Sequence, residues 1–477
     1  MSDSVKHQAV KGVMWSAIER FSVQGIQFVL TIIIARLILP SEYGLIAMLS
    51  IFLAIAQTFV DSGFSNALIQ KKDRTEVDFS TVFYFNILIS LVVYGVLFIT
   101  APYIASFYGK PELVAVTRGI GVNIILNSFI LVQRTRILIA SDFRILAKVS
   151  LIAVITSGSI GVCLAWLGYG VWALVIQSLS NTFLNVILLW KFVAWIPKRT
   201  FSIDSFRRLF TFGSKLLIGG LLHTIYLNLY TLVIGHFFNS TQVGYFNRSQ
   251  TFAVFPATSL TEIVNRTMYP ILCKLQNDEE ALIHTFFNYL RATIFIVFPL
   301  MISLTILSES LIEVILTEKW LPAAPLMSIL CMAYMWYPVM LFNWQLLNVK
   351  GRSDLSLKAE IVKKVGAFLI LTVSIPWGMN VICWGLLVYN LFDLITISFF
   401  VKKIYSFDLR KELIILFPVG ISSLLMGLCI YISLQFFSIP MLRLASGIIV
   451  GMLSYSFFCY LFKLKEFDFI KQIIKKV

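Results

Sequence analysis

Apolar residues run in long stretches along this chain, broken by short polar segments, and the stretches share one length. A helix needs about 20 mostly apolar residues to cross the hydrocarbon core of a bilayer. Runs of that kind fall at 13–38, 44–68, 79–107, 113–135, 147–167, 170–194, 211–237, 242–270, 284–308, 324–347, 359–376, 380–401, 413–436 and 441–462. They predict an all-α integral membrane protein with about fourteen transmembrane helices. The eighth run, between Gly244 and Pro270, is the most polar, rich in Thr, Asn, Gln and charge. No loop is expected to exceed about 20 residues, so a soluble catalytic domain is excluded.

Composition agrees. The chain has 477 residues, 58% apolar and only 13% charged, with a mean hydropathy of +0.87. A soluble domain carries about 25% charged residues, because its surface stays in water. The N-terminal segment Met1–Gly12 is polar and leads into an apolar run without a small-residue cleavage site. It reads as the lead into an uncleaved first helix. Net charge is +15. Its basic residues cluster in short inter-helix segments, which points to cytoplasmic loops and away from a nucleic-acid partner.

The clusters alternate. Lys71 and Arg74, then Arg134, Arg136 and Arg144, then Lys198, Arg199, Arg207 and Arg208, follow even-numbered helices, as do Lys350, Arg352, Lys402, Lys403 and Arg410. The opposite loops hold little beyond Lys110 and Lys319. An even helix count with both termini cytoplasmic is expected.

An internal repeat is visible at a separation of 200 residues. Ser41-Glu42-Tyr43-Gly44 follows the first helix, and Thr241-Gln242-Val243-Gly244 follows the seventh. Phe52 matches Phe252, and Asp61 lies one register step from Glu262. Ser141-Asp142 is echoed by Ser353-Asp354, and Gly168 by Gly378. Two six-helix lobes are expected, related by a pseudo-twofold axis along the membrane normal, with a solute path between them. Residues 1–197 would form the first lobe, 198–405 the second, and 406–477 helices 13 and 14 with a cytoplasmic tail.

Charge inside the membrane is the main chemical signal. Glu19, Arg20, Asp61, Arg118, Arg248, Glu262, Arg266, Arg291 and Asp393 fall within the expected spans. Facing lipid, they would together cost on the order of 25 kcal/mol. They must therefore pair, reach an interface, or line water. Arg36, Arg118 and Arg443 lie near the outer boundary and can snorkel. Glu262 and Arg266 are spaced for a helical ion pair. Each has a structural reading. As a set, with Gln24, Gln27 and Asn66 nearby, they suggest a hydrated, partly cationic cavity. Arginine suits phosphate. Arg20, Gln24, Gln27, Asn66, Arg118, Arg248 and Arg266 are the candidate substrate-binding residues. Glu19, Asp61, Glu262 and Asp393 are candidates for ion pairing or coupling.

The six cysteines are scattered, the four histidines lack metal spacing, and no Gly-rich phosphate loop occurs. No cofactor, metal site or enzymatic activity is expected.

Ala35-Arg36-Leu37-Ile38-Leu39-Pro40-Ser41-Glu42-Tyr43-Gly44 resembles the A-R-x-L-x-P-x-[ED]-[FY]-G signature of bacterial polysaccharide exporters. Asp61-Ser62-Gly63-Phe64, Ala67-Leu68-Ile69-Gln70 and the linker 198–213 are similar to the corresponding stretches of that group. The family is that of Wzx-type flippases, the colanic-acid exporter-like branch, within the multidrug/oligosaccharidyl-lipid/polysaccharide exporter superfamily. The resemblance implies a two-lobed transporter of the bacterial inner membrane. Such a protein would carry undecaprenyl-pyrophosphate-linked oligosaccharide by alternating access. Its partners would be that substrate, membrane lipids, and a polymerase or glycosyltransferase of the same pathway. Only Arg36 and Gly44 carry over from the signature. The alternative is a cation-coupled multidrug exporter of the same superfamily, which usually has twelve helices and an acidic site.

Overall fold

A computed structural model of the chain describes residues 22–464, apart from 62, 72 and 141, together with Glu466. The described chain is helical throughout, with no strand. In order, the helices are α1 (Ser22–Leu37), α2 (Pro40–Asp61), α3 (Phe64–Gln70), α4 (Glu76–Tyr108), α5 (Leu113–Ala140), α6 (Phe143–Trp166), α7 (Val171–Val193) and α8 (Ile203–Phe237). Then follow α9 (Ser240–Lys274), α10 (Glu279–Leu316), α11 (Ala324–Tyr334), α12 (Tyr337–Val349), α13 (Ser353–Ser374), α14 (Met379–Lys402), α15 (Leu409–Leu434) and α16 (Pro440–Leu461).

With α2–α3 and α11–α12 each taken as one broken span, these helices form fourteen segments that match the fourteen apolar runs. Eleven are long and apolar enough to cross a membrane; α1 is shorter in its described part, and α9 and α13 are more polar. Much of the apolar surface is not buried by protein: only 11% of the α7 window is covered. In water that surface would be costly. Its natural solvent is lipid, and the chain is a multi-pass membrane protein.

The breaks have local causes. Gly63, at φ +69°, separates α2 from α3, and a Cβ there would lie 2.7 Å from the Gly213 carbonyl oxygen on α8. Only glycine combines that left-handed backbone with so close an approach. Pro338 opens α12 after a turn at Met335–Trp336, where its missing N–H costs nothing. Thr75 and Asp78 form a capping box at the start of α4, satisfying two end donors reciprocally.

By packing, the chain forms two compact units, Met1–Gly244 and Tyr245–Val477. In the first, α4 packs on α5, α5 and α6 on α7, and α2 along α8. In the second, α10 packs on α11, α15 and α16, and α14 on α11 and α13. The expected repeat would divide the chain at residue 197. The packing division falls after Gly244, because α8 lies against α2, α3 and α4. The stretch 308–325, between the ninth and tenth apolar runs, is mostly helical: α10 continues to Leu316, a 3-10 turn covers Glu318–Ala323, and Trp320 is fully buried.

Candidate functional site

Within the first unit, the C-terminal end of α2, the start of α3, the C-terminal half of α5 and the middle of α8 line a cavity of about 600 Å³. Its wall carries the amides Gln57, Asn66 and Asn127, the hydroxyls Thr58, Ser65 and Thr135, one carboxylate, Asp61, and one guanidinium, Arg134. Leucine and isoleucine complete it, and among the described residues no aromatic ring lines it.

Helical spacing builds this wall. Gln57 and Asp61 are one turn apart on α2, and Gln57 Nε2 donates to Asp61 Oδ1 at 3.1 Å. Asn127 and Arg134 are two turns apart on one face of α5. Asn127 Nδ2 donates to Gln57 Oε1 at 3.2 Å, so one chain of hydrogen bonds runs from α5 through Gln57 to the carboxylate. The positive charge of Arg134 faces Asp61. Thr135 Oγ1 donates to Ser65 Oγ at 3.2 Å, fastening α5 to α3.

The α8 side is joined to α2 by short polar contacts. Ser50 Oγ donates to Asn228 Oδ1 at 3.1 Å, and the Thr58 and Thr224 hydroxyls lie 3.1 Å apart. Since Thr58 Oγ1 already donates to the Ala54 carbonyl at 2.8 Å, Thr224 is the donor in that pair. Such small polar residues let apolar helices approach closely.

Of the residues expected from the sequence, the cavity brings together Asp61 and Asn66. Glu19 and Arg20 lie outside the described residues. Gln24 is half-buried and Gln27 exposed on α1. Arg36 is exposed at the end of α1, and Gly44 lies in the first turn of α2, where Glu42 Oε2 accepts the Leu39 N–H at 3.1 Å. Arg118 stacks on Phe98, 4.0 Å from the ring centroid, and its Nε donates to the Phe98 carbonyl at 3.4 Å.

In the second unit, Arg248 is buried and Arg266 exposed. Among the described residues no ion pair joins Glu262 to Arg266. Glu262 instead accepts from the Tyr337 hydroxyl at 3.3 Å. Asp393 is buried and pairs with Lys363 at 3.1 Å. Arg291, one of the charges within the expected spans, pairs with Glu466 at 2.7 Å.

Sequence reasoning missed Gln57, Asn127 and Arg134. Arg134 was counted among cytoplasmic loop residues, but α5 continues past it to Ala140. The available signal was helical: Asn127, Arg134 and Thr135 recur on one face of an otherwise apolar segment.

A profile for the family described as polysaccharide biosynthesis protein matches residues 33–325. The chain is similar to the teichuronic acid biosynthesis protein TuaB of Bacillus subtilis (strain 168), 26% identical over 360 residues, 74% of each chain. It is similar to the lipopolysaccharide biosynthesis protein WzxC of Escherichia coli (strain K12), 25% identical over 367 residues, 76% of this chain and 74% of that one. It is also similar to the succinoglycan biosynthesis transport protein ExoT of Rhizobium meliloti (strain 1021), 23% identical over 96% of this chain and 94% of that one. Among solved structures, the lipid II flippase MurJ in an inward closed conformation superposes with a TM-score of 0.76, over 94% of this chain and 98% of that one. At 15% identity that likeness shows the fold alone.

Proposed function

The chain belongs to the polysaccharide biosynthesis protein family, and from that premise we propose that it is a flippase for a lipid-linked oligosaccharide in the bacterial inner membrane. The cargo is a polyprenyl diphosphate bearing sugars. Its tail stays in the bilayer, while its diphosphate and glycan need a polar route through the protein, because bare hydrocarbon penalises charge. Transport, not a chemical transformation, is the activity. The basic loops and both termini face the cytoplasm in this reading.

The observation that carries it is the chemistry of the cavity wall. Sites for drug-sized ligands are lined mainly by apolar and aromatic side chains. Among the described residues this wall sets three amides, three hydroxyls, one cation and one carboxylate beside leucine and isoleucine, with no aromatic ring. Gln57, Asn66 and Asn127 can exchange hydrogen bonds with sugar hydroxyls. Arg134 supplies charge-assisted hydrogen bonds to phosphate or to an acidic sugar, and Asp61 balances that charge while the cavity is empty. Enzymes that build and polymerise the glycan would supply and consume the cargo.

Arg134→Ala should lower surface glycan at least about tenfold, since a hydrogen bond to a charged group contributes roughly 1.5–3 kcal/mol. Immunoblots of membranes should show an unchanged protein level. Wild-type surface glycan in both Arg134→Ala and Asp61→Ala cells would remove the cavity from the transport path.

A further inference from the structure

Between the end of α7 and the apolar crossing of α8, the chain runs through a basic segment that is pinned to the first unit. That crossing begins at Leu216, so the segment lies at one edge of the membrane. Trp195 is buried, and its Nε1 donates to Glu76 Oε2 at 2.6 Å. The Lys198 N–H donates to Ser80 Oγ at 2.9 Å, and the Ser202 N–H to Thr81 Oγ1 at 3.1 Å. Ser80 and Thr81 are fully buried on α4. Phe206 is held among rings, 4.9 Å from Phe85 and 5.3 Å from Phe210 between centroids. All of these residues belong to the first unit.

What this pinned segment turns outward is of two kinds. Lys198, Arg199, Arg207 and Arg208 are exposed, and Asp204 is the one acid of the stretch 194–215. Among the described residues no ion pair engages Arg199, Arg207 or Arg208. Ile196, Phe201 and Ile203 are also exposed, at 78, 52 and 62%. At the start of α8 the two kinds separate around the helix. Ser205 and Leu209 are buried, Ile203 and Phe210 share an exposed face, and Arg207 and Arg208 follow round from it. Apolar side chains this open are costly in water, and arginine is costly in hydrocarbon. A membrane boundary suits both: the apolar groups enter the acyl region while the cations reach the phosphates.

We propose that the segment 195–210 is a binding platform for anionic phospholipid, with Arg199, Arg207 and Arg208 on the headgroup phosphate and Ile196, Phe201 and Ile203 against the first acyl carbons. Charge complementarity carries the choice of occupant. Guanidinium forks match phosphate oxygens, and a basic stretch beside a membrane crossing is drawn to anionic lipid. The open apolar groups between the cations favour a lipid over a soluble anion. Pinning to α4 fixes the platform before lipid arrives, so little order has to be gained on binding. Bound lipid then holds the start of α8 at a set depth, and Leu216 and Leu217, which line the cavity, follow directly. The platform is independent of which cargo is carried.

The test is native mass spectrometry of the detergent-solubilised full chain, titrated with phosphatidylglycerol or with phosphatidylethanolamine. Wild type should retain phosphatidylglycerol under conditions that strip phosphatidylethanolamine. Arg199→Gln, Arg207→Gln and Arg208→Gln combined should weaken phosphatidylglycerol binding at least about tenfold. Single Arg207→Gln and Arg208→Gln should each lower it in part, which guards against a misfolded triple variant. Ile196→Ser with Ile203→Ser keeps the charge and should still lower it. Lys358→Gln, Lys403→Gln and Arg410→Gln combined remove the same charge from exposed positions of the second unit, and should leave it unchanged. Equal losses in the two triple variants, or equal retention of the two lipids, would overturn the platform. Displacement of phosphatidylglycerol by inorganic phosphate would make this a soluble-anion site and overturn the lipid assignment.

Discussion

Lys363 shows how the membrane charges are settled one residue at a time. Its ammonium lies 3.1 Å from Asp393 Oδ1 and 2.8 Å from Glu360 Oε1, with both Lys363 and Asp393 largely buried. Removing one partner of a buried pair leaves the other charge uncompensated, at a cost of about 3–5 kcal/mol. Lys363→Met should lower the apparent Tm of the detergent-solubilised protein, and adding Asp393→Leu should recover most of the loss. A double variant as unstable as the single would show that Asp393 has another partner. Glu412 follows the same logic. It is fully buried and accepts from Asn343 Nδ2 at 3.1 Å, so Asn343→Leu should cost about 1–3 kcal/mol. Charge in an apolar run was legible from sequence, and so Asp61 and Asp393 were found. Partners were not. Arg134 groups with the basic loop residues because helix ends cannot be read to within a turn, and Gln57 carries no charge to mark it.

Among the elements, α9 is the most instructive. Its 35 residues include Pro256 and Pro270 and many polar side chains, yet it is one continuous helix. Its threonines turn inward on the backbone: Thr251, Thr258 and Thr261 donate to the carbonyls four residues earlier, at 2.8, 2.9 and 2.6 Å. Hydroxyls satisfied in that way present methyl groups to the surroundings. The existence of all fourteen segments was legible because length and apolarity decide it. The break at Gly63 was not, since it depends on the backbone of α8, far away in sequence. Helix starts make their own prediction. Asp408 caps α15, accepting the Lys411 N–H at 3.2 Å, and that bond, with Lys402 beside it, holds its carboxyl below the usual aspartate range. A depressed value contributes stability above the unfolded pKa of about 3.9 and loses it as pH falls below. Asp408→Ala should lower the apparent Tm at pH 7 by removing the cap, whereas Asp408→Asn, which keeps the cap, should lower it less. Equal melting curves for Asp408→Ala and wild type would contradict this.

For the whole molecule, Gly44 and Gly244, 200 residues apart, make close backbone approaches to Ser240 and Pro40 respectively. The polar cavity beside Asp61 was legible only in part: Asp61 and Asn66 stand out in the sequence, but the rest of its wall depends on how α2, α3, α5 and α8 pack and not on any one of them. A polar chamber of this kind suits a carrier with a hydrophilic cargo. The direct measurement is flipping in proteoliposomes that hold the purified protein and a polyprenyl-diphosphate-linked oligosaccharide, with exposed sugar read by a membrane-impermeant lectin. A flippase makes nearly all the sugar accessible over time, and Arg134→Ala slows that rise at least about tenfold. Accessibility that stays at the level of protein-free liposomes, in vesicles that do expel a cationic dye, would contradict the assignment and favour a multidrug exporter.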